Sequence, residues 1–91
     1  MILVSYDIAN DKLRRRFSKY ICKFGRRLQY SVYEIKNSDH ILENIRVDLK
    51  NKFEREFSQS DSVIIFKMSN TCKIERYGYA INDEEDFIMI K

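Results

Sequence analysis

Apolar and polar residues alternate at the start of the chain. The apolar face carries Ile2, Val4, Tyr6 and Ile8, and the other face carries Leu3, Ser5 and Asp7. A two-residue period built from strand-forming residues is typical of a β-strand with one buried face. We therefore predict a first strand over 2–8, in which Asp7 lies near the end and opposite the buried face.

A helical period follows this strand. The apolar residues now recur at Leu13, Phe17, Tyr20, Ile21 and Phe24. Spacings of three and four residues place them along one side of an α-helix, with Asn10 as its N-cap and Gly25 as its C-cap. The pattern predicts a first helix between these two caps, with Cys22 on its outer side.

The remaining patterns predict one more helix and three more strands. Residues 27–36 have no helical stripe and are rich in strand formers, which predicts one long strand. A second helix is predicted from a cap at Ser38 or Asp39, because apolar residues then repeat every fourth position. The repeat consists of Ile41, Ile45, Leu49, Phe53 and Phe57. Two last strands are predicted over 63–68 and 73–79, the second at a sheet edge or exchanged with another chain.

The order of these elements predicts an α+β fold. Strand, helix, strand, helix, strand and strand in one small chain indicate a sandwich with both helices on one face of a mainly antiparallel sheet. A chain of 91 residues buries a limited share of its surface, and the second face of the sheet would stay bare in a monomer. A second copy on that face would enlarge the core, so we expect a homodimer.

The end of the chain differs in character from the rest. We expect residues 1–80 to form one domain and residues 81–91 to form a tail. The tail has an acidic run over 83–86 and then four apolar residues, Phe87, Ile88, Met89 and Ile90. These four are a candidate partner-binding segment that adds a strand to a partner's sheet. Packing on their own domain is the alternative.

The residue types exclude several classes of chemistry. Two cysteines, Cys22 and Cys72, and one histidine, His40, give neither a zinc-site spacing nor a disulfide scaffold, and they leave little for nucleophilic catalysis. No apolar run reaches the roughly 20 residues of a membrane helix, and the first residues lack a charged leader region. We expect a cytoplasmic protein that does not associate with membranes.

Positive charge is concentrated in one short segment. Between Lys12 and Arg27 the chain carries eight basic residues and no acidic one, although its net charge is only +3. A solvated helix face is one interpretation. The many arginines favour nucleic acid, because the guanidinium group binds phosphate oxygens bidentately. The candidates for sequence-independent phosphate contacts are Arg14, Arg15, Arg16 and Arg27, supported by Lys12, Lys19 and Lys23.

Asp7 is the candidate metal ligand and catalytic residue. One carboxylate holds Mg²⁺ poorly, but two copies of Asp7 related by a two-fold axis, together with water, match the ligands that Mg²⁺ prefers. The alternative is that Asp7 only closes the turn into the first helix. A symmetric carboxylate pair without a suitable general base is limited equipment for catalysis.

Three motifs connect the chain with a known family. They are Tyr6-Asp7-Ile8, the arginine-rich helix after it, and the segment GRRLQYSVYE from Gly25 to Glu34. In these motifs and their order the chain resembles the CRISPR-associated Cas-two family. The family pattern Gly-x-Arg-x-Gln-x-Ser-Val-Phe-Glu is altered here only at Tyr33.

The resemblance implies a ferredoxin-like fold in which residues 27–36 would have to supply two strand segments. It also implies a homodimer with its sheets face to face, in which the last strand completes the neighbouring protomer's sheet. The positions that match the dimer centre of the family are Tyr6, Tyr30, Ser31 and Tyr33.

The resemblance further implies a role in spacer acquisition during CRISPR defence. The dimer would bind duplex DNA and bridge subunits of the CRISPR integrase, Cas-one. Some members of the family are Mg²⁺-dependent endonucleases that cleave RNA or double-stranded DNA, which would place the metal at Asp7. A free-standing ribonuclease toxin of the VapD type, which shares the fold class, is the alternative. We favour the structural role because the basic segment is strong and the catalytic set is small.

Overall fold

The computed structural model describes residues 1–68 and 72–78. The strands of this part are β1 (Ile2–Asp7), β2 (Gly25–Gln29), β3 (Val32–Ile35), β4 (Ser62–Lys67) and β5 (Lys73–Gly78). The α-helices are α1 (Asp11–Cys22) and α2 (Asp39–Asp48), and α2 continues into a π-helical turn (Leu49–Phe53) and a 3-10 turn (Glu54–Glu56). The predicted tail, including Phe87 to Ile90, lies outside the described residues.

The five strands form one antiparallel sheet in the order β2-β3-β1-β4-β5. The central strand β1 pairs with β3 over Ile2–Ser5 and with β4 over its whole length. The first four strands and the two helices have the arrangement of a ferredoxin-like fold, and β5 is an additional edge strand. The α+β prediction is confirmed. Within the described residues, no helix has the length and apolar character that crossing a bilayer requires.

The core lies between the sheet and the helices. Its strand residues include Ile2, Val4, Tyr6, Tyr33, Val63 and Ile65, and its helix residues include Leu13, Phe17, Ile21, Leu42 and Ile45. Phe17 connects the layers, because its ring meets the rings of Tyr6 and Phe53 edge-on with centroids 5.1 Å apart in both pairs. The predicted alternation of β1 is confirmed, and it leaves Asp7 exposed on the opposite face.

Residues 27–36 form a hairpin, so the prediction of one long strand from the residue pattern was wrong. Strand β2 ends at Gln29 and β3 begins at Val32, with Tyr30 and Ser31 in the turn. The pairing shifts between Arg27 and Gln29, which makes a β-bulge. The sequence hides this turn because it contains neither Gly, Pro nor Asn and continues the run of strand formers. The two strand segments implied by the family resemblance are both present.

The second helix changes its number of residues per turn, and this change accommodates the apolar repeat. A spacing of four residues exceeds the about 3.6 residues of an α-helical turn, so the stripe would drift around a regular helix. The helix instead widens into the π-helical turn, which has a larger number of residues per turn. Ile45, Leu49 and Phe53 therefore all reach the core. Ser38 is the cap, since its Oγ accepts from the Ile41 N–H at 3.2 Å.

The edge strand β5 is held by hydrogen bonds and an ion pair within its own chain. It pairs with β4 along its length, and the Arg46 guanidinium donates to both carboxylate oxygens of Glu75, at 2.9 and 2.5 Å. This hydrogen-bonded pair lowers the pKa of Glu75 below its usual value. The Gly78 N–H also donates to the Glu54 carboxylate at 3.0 Å. The structure thus pairs β5 in cis, and exchange of this strand with a second copy stays a prediction.

Asp61 joins the two loops beside the end of β1. It is only 1% exposed, and its carboxylate accepts from the backbone N–H of Ala9 at 2.9 Å and of Ser58 at 2.8 Å. Ala9 lies between β1 and α1, and Ser58 lies before β4. The buried carboxylate needs donors, and these two partly buried N–H groups need an acceptor, so both requirements are met together. Asp61 thereby fixes the chain between Asp7 and α1.

Replacing Asp61 tests this clamp. We expect Asp61→Ala to lower the free energy of unfolding by about 1 to 3 kcal/mol, because two partly buried N–H groups lose a charged acceptor. Urea titration followed by circular dichroism measures the change. The control is Gln59→Ala in the same loop, where the side chain is exposed and the change should stay within about 0.5 kcal/mol. Equal stability of the two variants would contradict the clamp.

Candidate nucleic-acid interface

An open groove lies between α1 and the β2–β3 hairpin. Its volume is about 660 Å³. It is lined by Lys12, Arg15, Arg16, Ser18, Lys19 and Cys22 from α1 and by Arg27 and Tyr33 from the hairpin. Five of these eight side chains are cationic, and no carboxylate of the described residues joins them. We call this surface the basic groove.

The outer side of the basic groove carries uncompensated charge. Lys12, Arg15 and Lys19 are exposed on α1 and make no hydrogen bond or ion pair within residues 1–68 and 72–78. They follow one another at spacings of three and four residues, so they lie on one side of the helix. Like charges held this closely repel one another, and a bound polyanion would relieve that repulsion.

Arg14 is turned away from this row and holds the start of α1. Its guanidinium donates to the carbonyl oxygens of Ile8 at 3.1 Å and Ala9 at 3.3 Å and forms an ion pair with Asp11. The pair with Arg14 lowers the pKa of Asp11. The side chain of Asn10 caps the same turn, since its Oδ1 accepts from the Leu13 N–H at 2.8 Å. Arg14 therefore has a structural role, and its phosphate contact stays a prediction.

Arg16 also lines the basic groove, but it is engaged by the segment that follows α2. It donates to both carboxylate oxygens of Glu56, at 3.1 and 2.7 Å, and its guanidinium carbon lies 5.1 Å from the ring centre of Phe53. The contact with Arg16 lowers the pKa of Glu56. Its charge is thus neutralised by a neighbour from another element. Among the four predicted phosphate-binding arginines, Arg15 and Arg27 form no ion pair with a carboxylate in the described part of the chain.

A set of hydroxyl groups forms the inner wall of the basic groove. The Tyr33 hydroxyl shares a hydrogen bond of 2.7 Å with Ser18 and accepts from Arg27 Nε at 3.3 Å. The Arg27 guanidinium also lies over the Tyr33 ring, 5.7 Å from its centre. The ring of Tyr6 stacks beside that of Tyr33, and burial raises the pKa of Tyr6. Arg27 is therefore aimed into the basic groove by a buried tyrosine.

These contacts bear on the residues predicted for the dimer centre. Tyr33 is 2% exposed and Tyr6 is also buried, and both side chains lie under α1 in the chain's own core. The reason is the strand alternation, which turns these two positions toward the helices. Ser31 is half-buried in the hairpin turn, where its carbonyl oxygen accepts from the Tyr6 N–H at 3.1 Å. A dimer contact of Ser31 stays a prediction.

A smaller cleft lies where the hairpin turn meets the first turns of α1. Its volume is about 90 Å³, and its lining consists of Tyr6, Arg14, Arg15, Ser18, Arg27 and Tyr30. The Tyr30 side chain is 75% exposed. The pKa of Arg27 is raised, mainly by its contact with Tyr33 and to a smaller extent by Tyr6 and Tyr30. We call this surface the tip cleft.

Asp7 lies on the sheet face that the helices leave uncovered. It is exposed, and its register partner on β4 is Ser62. Within residues 1–68 and 72–78, no three acidic, histidine or cysteine side chains are grouped as a metal site requires. One chain therefore does not fit a Mg²⁺ ion by itself. A second Asp7 from a symmetric copy would supply the missing carboxylate, and water would complete the coordination.

The same uncovered face carries an apolar patch. It consists of half-buried residues from four neighbouring strands, namely Leu3, Val32, Ile64, Phe66 and Ile74. Their register pairing, for example Leu3 with Phe66 and Phe66 with Ile74, places them side by side. A contiguous apolar patch on an uncovered sheet face is a candidate surface for a partner. We call this surface the open face.

The sequence identified the basic segment and Asp7. It did not show which arginines of the basic segment are held by contacts within the protein. The basic groove also contains Ser18, a residue that no pattern in the sequence singled out. The partner of Arg16 is Glu56, which is separated from it by 40 residues. A single chain gives no signal for such a pairing, whereas the partner of Arg14 lies at the helical spacing of three residues and was within reach of sequence analysis.

The comparisons with known proteins agree with the motifs. A family model described as CRISPR associated protein Cas2 matches residues 1–76, which include β1 to β4 and most of β5. No solved structure matches the chain.

Proposed function

This chain belongs to the CRISPR associated protein Cas2 family, and from that premise we propose that it serves spacer acquisition as a homodimeric core that binds duplex DNA and bridges subunits of the CRISPR integrase. A CRISPR-associated function follows from the family itself. The proposed DNA binding and dimerisation rest on the surfaces of this chain.

The basic groove is the observation that supports DNA binding most directly. Lys12, Arg15 and Lys19 are exposed and form no hydrogen bond or ion pair in the described residues, and Arg27 adds a guanidinium that Tyr33 orients. Lys and Arg that neutralise phosphates release condensed counterions, which drives binding without reading the bases. The lining of the basic groove contains no Asn or Gln, the amides that recognise adenine. Binding is therefore expected to be independent of base sequence.

The open face supports the dimer. Its apolar patch would be covered by the same patch of a second copy, which is the self-complementary contact that a two-fold axis requires. The basic groove lies on the helix side of the sheet, so dimerisation on the open face would leave both copies of the groove accessible. Two grooves at a fixed distance would let one duplex contact both protomers.

The bridging of integrase subunits rests on the family and on the sequence of the tail. The four apolar residues from Phe87 to Ile90 follow an acidic run, and such a segment is suited to adding a strand to a partner's sheet. The tail lies outside the described residues, so this contact is proposed from the sequence.

Removing one uncompensated charge tests the DNA-binding proposal. We expect Arg15→Ala to weaken duplex binding uniformly across sequences and to reduce the salt slope of log Kd by about one, because one phosphate contact is lost. Fluorescence polarisation of a labelled blunt duplex over a salt series measures both quantities. The control is Lys50→Ala, which removes the same charge from an exposed position on the other helix. Equal slopes for wild type and Arg15→Ala would overturn the proposed groove.

Placing a charge on the open face tests the dimer. We expect Ile64→Asp to convert the dimer into a monomer, because a carboxylate in the centre of an apolar contact is costly to desolvate. Light scattering coupled to size exclusion measures the mass. Val47→Asp, at an exposed position of α2, is the control and should stay dimeric. A wild-type protein that is monomeric at micromolar concentration would contradict the proposal directly.

A metal-dependent nuclease is the second candidate function. The observation in its favour is the position of Asp7, whose carboxylate is exposed at the end of the central strand on the proposed dimer face. A Mg²⁺ ion bound there would activate water or stabilise charge on a phosphate. The two Asp7 carboxylates would hold the ion, and the basic grooves would hold the nucleic acid. The same activity without an integrase partner would fit the toxin alternative.

Asp7→Asn separates the two functions. The substitution removes the charge that holds a metal and leaves the basic groove intact, so we expect it to bind duplex as tightly as wild type. Any Mg²⁺-dependent cleavage of RNA or duplex DNA by wild type is expected to disappear. Gel assays with Mg²⁺ and with chelator measure cleavage, and Ser62→Ala is the matched control at the neighbouring position. Cleavage that persists in Asp7→Asn would exclude Asp7 as the metal ligand.

A further inference from the structure

Tyr33 is the position at which the segment from Gly25 to Glu34 departs from the family pattern, and the departure adds a hydroxyl group. The pattern has Phe where this chain has Tyr33. The side chain is only 2% exposed, so a Phe ring would fill the same space in the core. A buried hydroxyl group costs free energy unless it is hydrogen-bonded. Packing of the core therefore does not explain the hydroxyl group, and its partners have to be considered.

The Tyr33 hydroxyl group has one partner on α1 and one on β2. It shares a hydrogen bond of 2.7 Å with the Ser18 hydroxyl group and accepts from Arg27 Nε at 3.3 Å. A guanidinium group has donors only, so the Tyr33 oxygen must be the acceptor of the second bond. The Tyr33 proton is then available for the Ser18 oxygen. Ser18 thus holds the hydroxyl group from the helix, and the hydroxyl group holds Arg27 from the sheet.

This contact uses one particular part of the Arg27 guanidinium. Arginine has one N–H on Nε and four on its two Nη atoms. The Nε donates to Tyr33, and the guanidinium carbon lies 5.7 Å from the centre of the Tyr33 ring. In residues 1–68 and 72–78, the Nη atoms form no hydrogen bond and no ion pair. Both Nη atoms therefore remain available for a bidentate contact with one phosphate.

The Arg27 side chain lies where such a contact can form. It is exposed, and it lines both the basic groove and the tip cleft. A long side chain on an edge strand has many rotamers, and binding has to select one of them at a cost in affinity. A bond at Nε and the contact with the ring restrict the side chain before any ligand arrives. Restriction in the free protein reduces the cost of ordering on binding.

We propose that the Tyr33 hydroxyl group, held by Ser18, is a positioning group that orders Arg27 so that its two Nη atoms bind one backbone phosphate bidentately. This inference rests on the proposed nucleic-acid binding and adds the residues that prepare one of its phosphate contacts. Tyr33 is buried and acts through Arg27, without touching the nucleic acid.

Removing the hydroxyl group alone tests the proposal. Tyr33→Phe keeps the ring, and we expect it to raise the Kd for a blunt duplex by between about 2-fold and about 10-fold, the effect of ordering one long side chain on binding. The salt slope of log Kd should stay unchanged, because the Arg27 charge is still present. Arg27→Ala should instead reduce that slope by about one. Fluorescence polarisation over a salt series measures both quantities in the full-length protein.

A double-mutant cycle shows whether the hydroxyl group acts through Arg27. We expect Tyr33→Phe to have no further effect on the Kd when it is combined with Arg27→Ala, because the side chain that it positions is then missing. Ser18→Ala should also weaken duplex binding by itself and have no effect in the Arg27→Ala background. A change that merely loosened the fold would weaken both backgrounds alike.

Tyr20→Phe is the matched control. It also removes a hydroxyl group with a partner, since Tyr20 donates to Asp48 at 2.6 Å, but Tyr20 does not line the basic groove. Its Kd for the duplex should equal that of wild type. Circular dichroism establishes that each variant is folded at the assay temperature, and Ser18→Ala carries the same test if Tyr33→Phe does not fold.

Other outcomes overturn the inference in distinguishable ways. Equal Kd values for wild type and Tyr33→Phe, or a loss that persists in the Arg27→Ala background, would refute the positioning role while salt-dependent duplex binding by wild type kept the proposed function. A weakening of the same size in Tyr20→Phe would also refute it. A wild-type protein that does not bind the duplex would refute the proposed function together with this inference.

Discussion

The central strand β1 presents its side chains alternately to two faces of the sheet, and the rest of the molecule depends on this alternation. Because the face with Tyr6 is covered by the helices, the face with Asp7 is left to solvent or to a partner. A slip of one residue would exchange the two sets of side chains. The pairing of β1 with both β3 and β4 fixes the register and thereby separates the basic groove from the open face.

The charges of α1 have divided roles. Arg14 and Arg16 are used within the protein, where they hold the start of α1 and join it to the segment after α2. Their neighbours Lys12, Arg15 and Lys19 line the basic groove and form no hydrogen bond or ion pair in the residues that the structure describes. Surface ion pairs contribute little stability individually, so the engaged arginines matter mainly because they orient the helix. The orientation in turn decides where the remaining charge lies relative to the hairpin.

Most of the fold could be predicted from periodicity, and the failures have physical reasons. The first strand and the first helix follow from regular spacing, but the predicted C-cap was wrong, since the helix ends at Cys22 and Gly25 begins β2. The hairpin was missed because the turn at Tyr30 and Ser31 contains no Gly, Pro, Asn or Asp, and a single Ser between strand-forming residues is a weak turn signal. The spacing of four residues between apolar positions in the second helix was recognised in the sequence. The π-helical turn at Leu49–Phe53, which accommodates this spacing, was not predicted. The basic groove was predicted as a set of charges, whereas its hydroxyl wall depends on contacts between residues distant in sequence, such as Ser18 and Tyr33.

The attachment of β5 has a kinetic consequence. Leaving the sheet would require this strand to break its ladder with β4 together with the Arg46–Glu75 pair and the bond from Gly78 to Glu54. Gly78 has a φ of +112°, and a Cβ there would lie 2.3 Å from the Asp61 carbonyl oxygen. The position therefore requires glycine, both for its backbone angle and for the close approach of the neighbouring strand. Conversion between a strand paired in cis and one exchanged between protomers would therefore pass through a largely unfolded edge. The two arrangements would interchange slowly, and the one adopted when the chain first folds would persist.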